Sequence, residues 1–302
     1  MSGIGADRPT VDTREIDGEG DQPDLIVPRN RTARFAWSAV VVILVGVIAL
    51  VVYALTGPTT TDAGVQWVVT SIGVVAALAH LPPSVSDTIG VTAPDTPLVA
   101  PTVLAGQPPL TSGGHPEVLY IGAEFCPFCG SERWPLILAL SRFGHFTGLR
   151  NMQSAPLSVF PGVQTFSFVH SSYSSRYLTF VGVELYSTEI TNEGTYARIA
   201  TLTPAQSALA DRYGSRSGSL PFVDIDNRMT ATTSGYSPAV IAKQSQATIL
   251  SELDQAESPT AQAIVASANY LTAGICAVTG QQPLPVCTSR GVRSAAVALG
   301  MA

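Results

Sequence analysis

Residues 118–129 read VLYIGAEFCPFC, and the reading of the fold turns on them. Val118–Ala123 is a short apolar run bounded by turn signals, the pattern of a buried strand. The motif Cys126-Pro127-Phe128-Cys129 follows at once. Gly130–Phe143 then carries Trp134, Ile137, Leu138 and Leu140 at helical spacing, with Pro135 expected to kink the helix. A strand that runs straight into a helix sets Cys126 at the helix mouth, where unpaired N–H groups and the helix dipole favour a thiolate. Pro127 suits the first helical position, which needs no N–H. Cys126 is then the attacking sulfur, and Cys129, one turn along and deeper, resolves the mixed disulfide. Phe128 adds neither hydrogen bond nor charge, which predicts a middling redox potential. Half of a zinc site and a purely structural bridge are the competing readings.

Outward from this stretch, strands and helices alternate. Residues 144–176 look like a loop, with Pro156, Pro161 and serine clusters. Tyr177–Tyr186 reads as a strand. Thr203–Tyr213 reads as a helix with Thr203 as N-cap and Pro204 at the first helical position. Leu220–Ile225 and Met229–Thr233 read as two strands joined by an Asp226-Asn227 turn. Ser237–Leu253 and Pro259–Ile275 read as helices.

The four cysteines fall into two close pairs. Four cysteines permit three pairings, of which the local one, 126 with 129 and 276 with 287, is the simplest. An even count fits an oxidising compartment. Cys276 and Cys287 lack zinc-knuckle spacing. They read as a structural staple, with a second redox pair as the sharper alternative. The four histidines (His80, His115, His145, His170) are scattered, so no metal site and no cofactor is assigned.

These stretches, together with LPFVDIDNR and ANYLTAGICAVTGQQPLPVC, make the chain resemble the membrane-anchored family catalogued as domain of unknown function 929, whose members are similar to thioredoxins. The resemblance covers roughly residues 65–288. It implies an α/β, thioredoxin-like fold with an insertion between the first helix and the second strand and a C-terminal helical extension. In thioredoxin-like folds a cis-proline faces the redox pair, and the backbone before it pairs with the bound substrate segment. Leu220-Pro221 falls at that place, so Leu220, Pro221 and Phe128 are the candidate substrate contacts; an ordinary trans proline opening an edge strand is the alternative. The resemblance also carries over Glu124, Arg133 and Trp134. Tyr120 stands where thioredoxins keep a buried aspartate that moves protons, so Glu124 is the candidate replacement, against a plain exposed carboxylate. Arg133 reads as a cap or solvated residue of its helix, against a role in holding an anion near the motif, and Trp134 as packing, against a substrate contact.

Toward the N-terminus, residues 35–55 (FAWSAVVVILVGVIALVVYAL) contain no charge over 21 residues, enough to cross a bilayer as a helix. Arg29, Arg31 and Arg34 precede the run, and no Lys or Arg follows until Arg133. The positive-inside rule therefore predicts a cytoplasmic tail (1–34), one transmembrane helix (35–55) and an extracytoplasmic remainder. Residues 56–116 read as a short helix within 65–81, packed on the domain or lying at the membrane surface, and a Pro/Gly-rich linker; a second membrane crossing by 65–81, which would return the rest of the chain to the cytoplasm, is the alternative. Residues 117–255 form the thioredoxin-like domain, and 256–302 the helical extension with Cys276 and Cys287. Net charge is −6 and no basic patch occurs, which gives nucleic-acid binding no support.

The function expected from this reading is a membrane-anchored thiol–disulfide oxidoreductase. Its partners would be protein thiols or disulfides and a quinone-linked or electron-delivering membrane protein. The alternative is a non-catalytic thioredoxin-like docking or assembly module with a structural bridge in the motif.

Overall fold

The computed structural model describes residues 73–214 and 219–301. The expected transmembrane helix at 35–55 and the cytoplasmic tail lie outside the described residues. Of the segment 65–81, residues 73–79 are helical, and Val74 and Leu78 are buried in the core, so this part packs on the domain.

Strand β3 (His115–Gly122) is the centre of a mixed sheet. On one side it pairs in parallel with β8 (Thr179–Glu184), and on the other antiparallel with β11 (Phe222–Ile225). β11 continues to β12 (Met229–Ala231), and β12 to the short edge strand β1 (Thr102–Val103). β2 (Thr111–Ser112) folds back on the start of β3. The turn from β11 to β12 places Asp226 and Asn227 at positive φ, 52° and 53°. These short polar side chains tolerate that region, and the Asp224 carboxylate accepts the Asn227 N–H at 2.7 Å to close the turn.

Residues alternate between the two faces of β3, which explains why its run is apolar throughout. Leu119 and Ile121 join Phe222 in a small core covered by Leu209, Ala210 and Tyr213 of helix α3 (Pro204–Tyr213). Val118 and Tyr120 face the larger core with Val223 and Ile225. There the sheet is covered by α2 (Pro127–Ser141) and α5 (Pro259–Val278). α3 begins with the expected cap: Thr203 accepts from the Gln206 N–H, and the Gln206 side chain accepts from the Thr203 N–H. Pro135 lies inside α2 and cannot donate to the Ser131 carbonyl. The buried Tyr236 hydroxyl donates to that carbonyl instead, at 3.1 Å.

Several segments differ from the sequence reading. Residues 144–176 are not a loop but carry four strands. β4 (Gly144–Thr147) pairs with β7 (Ser172–Ser175), and β5 (Arg150–Gln153) with β6 (Gln164–Ser167). Their buried residues include Thr165 and Ser167, so polar composition hid the strands. Two further strands, β9 (Tyr186–Ile190) and β10 (Tyr196–Arg198), form a hairpin after β8. Ser237–Leu253 is not one helix. Ser237 caps a 3-10 turn (Pro238–Val240), Lys243 takes φ +67°, and Ser245 caps a new helix, α4 (Gln246–Leu253). Two caps eight residues of chain apart compete with one continuous helix.

The expected linker contains α1 (Pro83–Ile89), which is tied to the core by the fully buried Asn269 of α5. The Asn269 amide donates to the Ser86 and Gly90 carbonyls at 3.2 and 2.7 Å, and its oxygen accepts from the Ser86 hydroxyl at 2.7 Å. α5 is the one helix among the described residues long and apolar enough to cross a membrane, but most of it is buried against the rest of the protein. It packs on α2 as part of the main core rather than as an appendage.

Cys276, near the end of α5, is bonded to Cys287 of the short helix α6 (Leu284–Cys287), and both sulfurs are buried. The last helix, α7 (Arg290–Ala298), packs on α1 and α5. Closing a loop of 11 residues stabilises the folded state by about 3 kcal/mol in the chain-entropy model. Replacing both cysteines by alanine is therefore expected to lower the unfolding free energy by about that amount, read from urea titration of the two proteins.

Candidate redox site

β3 ends at Gly122, and Ala123, Glu124 and Phe125 carry the chain to the mouth of α2. Cys126 is the N-cap: its sulfur accepts the Cys129 N–H at 3.3 Å. Pro127 takes the first helical position, as expected. Cys126 keeps 8% of its surface exposed, whereas Cys129 is wholly buried; neither is bridged. Leu220 comes in from the opposite side. Its carbonyl lies 3.8 Å from the Cys126 sulfur, which donates to it, and the Leu220–Pro221 peptide bond is cis. The fold thus brings together Cys126, Cys129, Leu220 and Pro221 from elements 94 residues apart. Phe128 stands at the rim with its ring edge-on to Phe160, centroids 5.9 Å apart.

The two thiols are driven in opposite directions. The hydrogen bond from Cys129 brings Cys126 down to about 7, helped by the Cys129 and Phe128 N–H groups and by Arg133, against the cost of burial. Burial pushes the Cys129 thiol well up, and its hydrogen bond to Cys126 adds to the rise.

Arg133 is not a solvated helix residue. Cys126, Cys129 and Arg133 fall three and four residues apart on one face of α2, and that face meets the sheet. The guanidinium is fully buried and forms a two-pronged pair with Glu184 at the end of β8 (Nε and Nη2, 2.9 and 2.7 Å); Nη2 also donates to the Ala123 carbonyl at 2.8 Å. The Tyr120 ring lies 5.7 Å from the guanidinium. Glu184 was not singled out in the sequence. Its signal was there, as a lone acid in the apolar strand TFVGVE.

Glu124 is nearly buried, not freely exposed. It accepts from Ser167 of β6 at 2.5 Å and faces Arg150 of β5 at 3.5 Å. Trp134 is core, as its spacing predicts: its indole donates to the Gln164 carbonyl at 2.9 Å, and its ring meets Phe166 edge-on. Phe125 stacks on Tyr196 of the β9–β10 hairpin with centroids 4.0 Å apart, beside an open groove of about 550 Å³.

Glu132 also escaped the sequence reading. It is buried on α2, accepts the Gly235 N–H at 2.8 Å, and burial raises its carboxyl to about 8. The folded state therefore holds a proton that the unfolded chain releases above its ordinary value of 4.5. Stability from this group is full below that value and falls as pH rises toward 8, by at most about 1.4 kcal/mol per pH unit. Glu132→Gln is expected to flatten that slope between pH 5 and 8, as read by urea unfolding across the range.

Neither a curated protein nor a solved structure matches this chain. A family model described as a domain of unknown function, DUF929, matches residues 102–277. That span, more than half of the chain, runs from β1 almost to the end of α5 and contains the cysteine motif, Leu220-Pro221, Arg133 and Glu184. The chain therefore belongs to the DUF929 family.

Proposed function

We propose that this protein is a thiol–disulfide oxidoreductase with a thioredoxin-like fold, anchored by residues 35–55 so that residues from 56 onward lie outside the cytoplasm. The strand arrangement supports the fold assignment: β3 parallel to β8, antiparallel to β11, and β11 antiparallel to β12, with α2 opening at the cysteines. The observation that carries the activity is the Cys126 sulfur, partly exposed at a helix mouth, lowered to about 7 and facing the Leu220 carbonyl.

In the reductive direction the Cys126 thiolate attacks one sulfur of a client disulfide. A mixed disulfide forms and the client's other sulfur leaves as a thiolate. Cys129 then attacks the Cys126 sulfur, closing the Cys126–Cys129 disulfide and releasing the first client sulfur. Two electrons pass from the pair to the client. The reverse steps oxidise a client dithiol. A quinone-linked or electron-delivering membrane protein would reset the pair, and its potential sets the direction. The backbone at Leu220 and Pro221 and the Phe128 ring would line the bound client segment.

Reduction of insulin by the detergent-solubilised full chain tests this. The rate is expected to rise about tenfold per pH unit below pH 7 and level off above it, as the Cys126 thiolate forms. Equal rates for the natural chain and Cys126→Ser would instead favour the docking-module reading. A reporter fused to the C-terminus tests the topology: activity of a cytoplasm-only reporter there would rule out the extracytoplasmic placement.

A further inference from the structure

Two buried polar atoms beneath the cysteine pair have no partner: Nη1 of Arg133 and the hydroxyl of Tyr120. Neither is a loose surface group, since both residues are fully buried. The Arg133 guanidinium is held rigidly by its hydrogen bonds to Glu184 and Ala123, all made through Nε and Nη2, so Nη1 is the donor left over. It sits one turn below Cys129 and two turns below Cys126 on the same face of α2. The Tyr120 side chain leans along β3 toward the cysteine end. Its hydroxyl occupies the space above Gly122, where any Cβ would collide with it. Leaving two donors unsatisfied in a core costs free energy, and such groups are retained where a ligand or a transient charge uses them.

We propose that Arg133 and Tyr120 are positioning residues for the resolving step, their free N–H and O–H groups stabilising the Cys129 sulfur as it becomes a thiolate. The inference rests on the oxidoreductase reading and deepens it. In that step Cys129 gives up its proton, its sulfur bonds to the Cys126 sulfur, and the Cys126–client bond breaks. The client sulfur leaves with the bonding pair and takes up the proton, so a client thiol forms and the cysteine pair is oxidised. No further reactant is required. The difficult moment is a negative sulfur in a site closed to water. The other charged groups nearby do not serve it. Glu184 is acidic and committed to Arg133, Glu132 is committed to Gly235, and Glu124 to Ser167 and Arg150. The burial that drives the Cys129 thiol upward makes the need acute, and Arg133 acts against it at both sulfurs.

The test is the rate at which the glutathione mixed disulfide on Cys126 is resolved in the full chain, in detergent, by rapid quench and mass analysis. Tyr120→Phe removes only an unpartnered hydroxyl, so its melting temperature should not fall. Resolution is expected to slow on the order of tenfold. Arg133→Met combined with Glu184→Met removes the buried pair together and is expected to slow resolution on the order of a hundredfold. Resolution at the unmodified rate in folded Tyr120→Phe, and in the double variant where it folds, overturns the inference while leaving the oxidoreductase reading intact. Failure of the natural chain to form or resolve the mixed disulfide overturns both.

Discussion

Replacing Cys126 by serine is expected to abolish thiol–disulfide exchange, lowering insulin reduction on the order of a thousandfold or more, as when a covalent nucleophile is lost. The sulfur ionises near neutral pH because the Cys129 thiol, two backbone N–H groups and Arg133 all favour its negative form. A serine hydroxyl in the same place stays protonated, and it cannot form the mixed disulfide at all. Cys129→Ser should behave differently. The attacking thiolate remains, but nothing resolves the intermediate, so a client-linked species accumulates and is visible on non-reducing gels. A Cys126→Ser protein that keeps full activity would sink the proposed mechanism. One without activity that also fails to fold would be set aside in favour of Cys126→Ala, judged by circular dichroism.

The second large effect is on stability. Arg133→Met alone is expected to destabilise the protein by about 3–5 kcal/mol, because Glu184 would be left buried without its counter-charge. Total stability of a domain is only about 5–15 kcal/mol, so this single change should bring the chain close to unfolding at room temperature. Glu184→Met alone should be comparably severe, since Arg133 has no other acidic partner among the described residues. Combining the two replaces the pair with apolar side chains and should recover most of the loss. The comparison of the three proteins by urea unfolding gives a coupling energy. A double variant as unstable as the sum of the singles would mean that the pair contributes through packing and not through charge.

The strand-to-helix reading of VLYIGAEFCPFC and the order of the main elements were legible because each rests on local physics. An apolar run long enough for one buried strand, a proline at the first turn, and serine or threonine caps act within a few residues. The same holds for the Asp226-Asn227 turn and for the burial of Trp134 at helical spacing. The strands of 144–175 were hidden for the opposite reason. Their residues are polar by composition, and they become strands by pairing with each other and covering α2: the Thr165 hydroxyl donates to the Gly130 carbonyl, and Trp134 donates to the Gln164 carbonyl.

The sequence by itself determined that two cysteines open a helix behind a buried strand and that a second pair lies within reach of a short bridge. Those statements depend only on spacing along the chain. What only the tertiary structure decided is what surrounds the sulfurs. Leu220 reaches Cys126 from 94 residues away, Glu184 meets Arg133 across 51 residues, and Tyr120 holds its buried hydroxyl against Gly122 without a hydrogen-bond partner. A charge on an apolar helix can be read as exposed or as buried, and the choice depends on whether a distant strand delivers its partner. Here β8 delivers Glu184, and that contact moves Arg133 from the surface into the core of the site.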